Sequence, residues 1–111
     1  MCRSLKVLCG APGPDRLWAL KRATVSACWE LVGGVAVRGD LLAQLTSWRP
    51  DVVVLQDMGE EAVALIRSTL PLARIVSVGV AVTGADAWAS TEEDVRDAVL
   101  GVPRPGGPVR G

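Results

Sequence analysis

Histidine, phenylalanine, tyrosine and asparagine are all absent from these 111 residues, and there are only 3 cysteines. Without histidine, neither a Ser-His-Asp triad nor a Cys-His pair can be built. Zinc loses its usual imidazole ligands. Cys2, Cys9 and Cys28 form no C-x-x-C pair, so a zinc site would need all three thiolates plus a carboxylate or water. The simpler reading is two small core residues and one N-terminal thiol. No metal and no cofactor is expected.

Long apolar runs are missing as well. No stretch approaches the ~18 to 20 residues that cross a bilayer. The opening "MCRSLKVLCG" lacks the apolar core and cleavage site of a signal peptide. The expectation is a cytoplasmic chain with no membrane contact. Neither sign of charge is in excess, with 12 Lys+Arg against 12 Asp+Glu. The cations are scattered from Arg3 to Arg110 and form no basic stripe, so direct nucleic-acid binding is not expected. Arginine far outnumbers lysine, a bias that points to a GC-rich bacterial genome. "GAPGP" (10–14) is a poor phosphate loop, because two prolines remove backbone N–H donors. Neither G-x-G-x-x-G nor a Gly-Lys-Ser/Thr ending occurs, so nucleotide binding is not expected.

What is present is an apolar half, 50% of the residues, enough for one domain with a real core. "LKVLCGA" (5–11) reads as a buried strand ended by Gly and Pro. Pro14 suits the first turn of a helix. From Asp15 to about Ser26, Leu17, Leu20, Thr24 and Ala27 recur at helical spacing. Trp18 falls one step off that stripe and is expected at the surface. "CWELVGG" (28–34) reads as a second strand stopped by glycines. Asp40 is placed to cap "LLAQLTSW", where Leu41, Leu42, Leu45 and Trp48 share one face, so Trp48 should pack inward. "DVVVLQ" (51–56) is almost continuously apolar, as a strand covered on both faces must be. "EEAVALIRSTL" (60–70) is helical with acids in its first turn. "RIVSVGVAV" (74–82) is a fourth strand, and "ADAWA" (85–89) a candidate fifth. Ser90 and Glu93 form a capping box for the helix over 91–101, where Val95, Ala98, Val99 and Val102 share a face.

Strands alternating with helices imply a parallel sheet covered on both sides. Sites in such folds lie at the C-terminal ends of the strands. The positions to watch are therefore 10–13, 33–37, 56–59, Gly79 and the region of Ser90.

The segments "ELVGGVAVRGDLLAQLTSWRPDVVVLQD" (30–57), "GADAW" (84–88) and "EEDVRDAV" (92–99) resemble the receiver domain of bacterial response regulators. The kind joined to a helix-turn-helix DNA-binding domain is the nearest in pattern. The resemblance spans roughly residues 5–102. It implies a doubly wound parallel α/β domain of receiver, flavodoxin-like type, with about five strands. The domain is expected over 1–102, with a disordered Pro- and Gly-rich tail over 103–111.

The family's functional positions transfer one at a time. Its metal-holding acids correspond to Ala11 and Pro12. Its phosphorylated Asp corresponds to Gln56, with Asp57 one residue late. Its Ser or Thr after the fourth strand corresponds to Gly79, with Ser77 two residues before. Its Lys after the fifth strand corresponds to about Thr91. Every position of that chemistry is altered. Mg²⁺ wants oxygen ligands, which Ala11 and Pro12 lack. Neutral Gln56 is no carboxylate nucleophile. Without a metal and a Lys, phosphoryl transfer to Asp57 would be slow. The resemblance therefore implies a pseudo-receiver.

The family also places a helix between its fourth and fifth strands, where this chain has only about seven residues, against the dozen of an ordinary parallel crossover. Seven extended residues reach about 24 Å, just enough to return along one strand. Three arrangements follow. The link lies extended across the sheet; or "ADAWA" pairs antiparallel or not at all; or the last strand and helix pair with a second chain. In each, Val76, Val78, Val80, Val82 and Trp88 become candidates for an exposed apolar interface. Trp88 falls where receivers carry the aromatic that signals the switch; the plainer alternative is that it fills the space of the missing helix.

"GADAWASTEEDV" also resembles the end of cobalamin-binding domains, but their cobalt-ligating His has no counterpart here. The expected function is a non-enzymatic, phosphorylation-independent regulatory module in bacterial signalling or transcription control. It would act through a protein partner or as a homodimer. The alternatives are a small-ligand sensor with its site near Gly10, Gly33 and Gln56, and a weakly phosphorylated receiver using Asp57.

Overall fold

The computed structural model describes residues 5–27, 29–79, 82–91 and 94–101. Cys2, Cys28, Val80, Glu93, Val102 and the 103–111 segment lie outside them.

The apolar run 51–56 forms the central strand β3, Val52–Gln56, with Val52 to Leu55 all buried. It pairs in parallel with β1 (Leu5–Gly10) on one side and β4 (Arg74–Val78) on the other. β2 (Trp29–Leu31) lies outside β1, and β5 (Ala87–Ala89) outside β4. The order is β2-β1-β3-β4-β5, all parallel. Alternation along the strands sends side chains to opposite faces. Leu8, Val53, Leu55 and Ile75 pack with Leu41 and Leu45 of α2 (Leu41–Trp48) and with Val63 and Ile66 of α3 (Gly59–Thr69). Val7, Cys9, Val54, Val76 and Val78 pack with Leu20 of α1 (Pro14–Thr24) and with Val95 and Val99 of α4 (Val95–Gly101). The doubly wound α/β expectation holds.

Several local expectations are corrected. α1 stops at Thr24, whose hydroxyl donates to the Leu20 carbonyl at 2.7 Å, so Ala27 lies beyond the helix and exposed. The Trp29 indole N–H donates to the Thr24 carbonyl at 2.8 Å, seating the tryptophan under the helix end. β2 is shorter than 28–34: Gly33, at φ 53, turns the chain out of the ladder, and Val35 rejoins it opposite Gly10. Asp40 does not cap α2 with its side chain, because it belongs to a 3-10 turn, Arg38–Asp40, that runs into the helix. Trp48 remains 42% exposed, its indole N–H donating to Gln44 Oε1 at 2.9 Å as it lies over Gly33. Trp18 is exposed as expected, with the Arg22 guanidinium 6.0 Å from the ring centroid.

β4 ends at Val78 rather than running to 82, and no helix separates it from β5 among the described residues. The link comes back along the sheet and delivers β5 parallel to β4, in the register Val76↔Ala87, Ser77↔Trp88, Val78↔Ala89. Arg67 of α3 holds it, donating to the Ala73 carbonyl at 3.1 Å, the Gly84 carbonyl at 2.8 Å and Asp86 Oδ2 at 2.8 Å. Asp86 Oδ2 also accepts the Ile75 N–H at 2.8 Å. Val82 and Ala85 pack against the α2–α3 side of the core. Gly84 turns at φ 94, where an added Cβ would sit 3.0 Å from Val63.

This register corrects the expected apolar interface. Val76 and Val78 are 0% and 1% exposed, because they share the face that α1 and α4 cover. Trp88, opposite Ser77 on the other face, is 53% exposed.

Removing the latch should be measurable. Arg67→Ala is expected to lower the unfolding free energy by about 1–3 kcal/mol, since it strips several acceptors of a charged donor. Arg38→Ala, which breaks an exposed pair with Glu61 at 3.2 Å, should stay within about 0.5 kcal/mol. Urea titrations distinguish them. Burial pushes the Cys9 thiol up to about 11, against smaller opposing effects of Thr24 and Lys21. The unfolded thiol deprotonates first, so this contribution is present at neutral pH and disappears as pH rises from about 9 toward 11, by about 2–3 kcal/mol. Cys9→Ala should flatten that part of the pH–stability curve.

Candidate functional site

The strand order turns back between β1 and β3, so the loops after these strands leave in opposite directions at their C-terminal ends, the place where folds of this kind form their sites. The first loop is tied to the 33–37 loop. Ala11 N–H donates to the Val35 carbonyl at 3.0 Å, and Gly13 N–H to the Ala36 carbonyl at 2.9 Å. Ala11 is fully buried and belongs to the core layer of Val7 and Cys9. Pro12 is half-buried and brings no N–H. The two positions matched to metal-holding acids therefore present a closed, apolar wall.

Gln56 ends β3 half-buried, in register with Val78. Asp57 follows at φ 56, a left-handed conformation that costs an L-residue roughly 1–2 kcal/mol and that Asp tolerates better than most. Its Oδ2 accepts from Arg16 Nη1 at 2.8 Å, with the side chains 45% and 60% exposed. An exposed pair of this kind is worth about 0–1 kcal/mol, close to the conformational penalty beside it. The next residue, Met58, is buried, and Gly59 opens α3 at φ 81.

Gly79 turns at φ 89 and donates its N–H to the Ala89 carbonyl at 2.8 Å, fixing the end of β4 to β5. Thr91 is exposed, and its hydroxyl donates to Asp94 Oδ2 at 3.2 Å; Ser90 donates to the same oxygen at 3.0 Å. Among the described residues, no three Cys, Asp or Glu side chains come together to hold a metal. Ala11, Pro12, Gln56 and Asp57 thus gather at one end of the sheet, while Thr91 is engaged with the start of the last helix. Arg16 escaped the reading of the sequence. Its one signal was a cation in the first turn after Pro14, which parallel topology carries toward the end of β3.

The chain aligns with the signal receiver domain of the putative response regulator NarL from Mycobacterium tuberculosis at TM-score 0.72 and 23% identity, over 88% of this chain and 94% of that one. The chain has a receiver-domain fold. The response regulator domain of Thermotoga maritima CheB gives TM-score 0.66 at 21% identity, covering 88% of this chain and 90% of that one. The receiver domain of RcsB from Salmonella enterica serovar Typhimurium, solved with phosphomimetic BeF3⁻, gives 0.60 at 15% identity over 68% and 62%. A cobalamin-binding protein from Desulfitobacterium hafniense gives 0.59 at 17% identity over 88% and 57%, a likeness of α/β framework; this sequence offers no histidine for cobalt. No family profile matches the chain, and no curated protein does.

Within this receiver-like frame, placing an acid just after β1 is costly. Ala11→Asp places a carboxylate at a fully buried apolar position and should destabilise the fold by about 3 kcal/mol or more. Denaturant midpoints of the variant and wild type measure it.

Proposed function

We propose that this chain is a receiver-like regulatory module that acts by protein contact and without phosphorylation, in cytoplasmic bacterial signalling or transcription control. The observation that carries the reading is the state of the strand ends. Ala11 is sealed into the core, Gln56 stands at the end of β3, and the displaced Asp57 is paired with Arg16. The receiver fold around them is retained, with β5 held by the Arg67–Asp86 latch. A domain that keeps its framework and lacks an acceptor pocket serves as a contact surface rather than a catalyst. The contact face we favour contains Trp88, which is 53% exposed, on the sheet face that α2 and α3 cover elsewhere. Its partner is another protein or a second copy of the chain.

Intact-protein mass spectrometry after incubation with acetyl phosphate and Mg²⁺ tests the reading. The mass should not change, and BeF3⁻ should leave the tryptophan fluorescence unaltered. Addition of one phosphoryl group to wild type, lost in Asp57→Asn, would overturn it.

A further inference from the structure

We infer that the Arg16–Asp57 ion pair is a strap that holds the β3–α3 loop in its present conformation, so that ionic strength sets how firmly the loop is held. The inference rests on the reading of Asp57 as a structural group. The residues lie 41 positions apart, so the 2.8 Å bond ties the first turn of α1 to the loop after the central strand. Asp57 is one of two non-glycine residues at positive φ among those described, and a side-chain contact is what retains an aspartate there. Its conformational penalty and the worth of an exposed pair are comparable, which leaves the loop near balance. The side chains are 60% and 45% exposed, so salt can screen their attraction.

Release has somewhere to go. Asp57 precedes buried Met58 and Gly59, which opens α3, so a change of its backbone angles moves the entry to that helix. On the far side, Arg38 pairs with Glu61 in the first turn of α3, an exposed contact of little energetic weight that engages the helix and not the loop before it. An acidic group that competes for the Arg16 guanidinium would free the same segment.

Hydrogen exchange of segment 57–61 in the full chain, read as protection against intrinsic rates, tests the strap. Arg16→Gln should lower protection about two- to five-fold at low salt, the range of an exposed pair, and the difference should vanish at high salt. Asp57→Gly removes the left-handed penalty along with the carboxylate. It should keep protection near wild type and make it indifferent to Arg16→Gln. Unchanged β3 protection in each variant shows that the fold is intact. No loss in Arg16→Gln, or an equal loss in the Asp57→Gly background, would sink the strap. Phosphoryl uptake at Asp57 would instead sink the functional reading and leave the exchange result legible.

Discussion

Val52, Val53, Val54 and Leu55 are withdrawn from water on both faces of one strand, and that double burial organises the molecule. A strand of this kind cannot sit at an edge or carry one layer of helices. It requires parallel neighbours on either side and helices above and below. β1 and β4 take the flanking positions, and the helices divide into two layers according to which parity of side chain they cover. Since valine and leucine leave no polar atom to pair, the only hydrogen bonds these residues need are those of the backbone ladder.

The same burial decides what the strand ends can do. Core packing extends through Cys9 and Ala11 on β1's side, and the 33–37 loop is laced onto it by backbone bonds. A carboxylate there would have neither water nor a cation. Charge at this end of the sheet sits farther out, on Asp57, where a guanidinium from α1 meets it. This end of the sheet thus combines a buried apolar layer with a solvated ion pair at its rim.

How much was legible in the sequence depended on how local the cause was. The strand at 51–56 and the helices with clear apolar stripes announce themselves, because burial imposes their periodicity directly. Gln56 and Ala11 could be placed at the ends of β3 and β1 by counting along those strands. The extent of β2 was less visible, since Gly33 interrupts a run that reads as continuous. Trp48 was misplaced because its indole found Gln44 and the Gly33 backbone at the surface instead of the core. The error over Val76 and Val78 came from grouping them with Trp88. Only the register of β5 shows that they face opposite ways. Arg16 and the Arg67–Asp86 latch are contacts between residues far apart in the chain, and no spacing rule reaches them.

Both outermost strands, β2 and β5, are 3 residues long. A free sheet edge is a template onto which a foreign strand can grow, and its danger rises with the number of unpaired backbone groups it offers in a row. The short link brings only Ala87 to Ala89 into register beside β4 before the chain leaves for α4. The economy of that connection therefore also makes the sheet a poor seed for runaway stacking of one copy on the next.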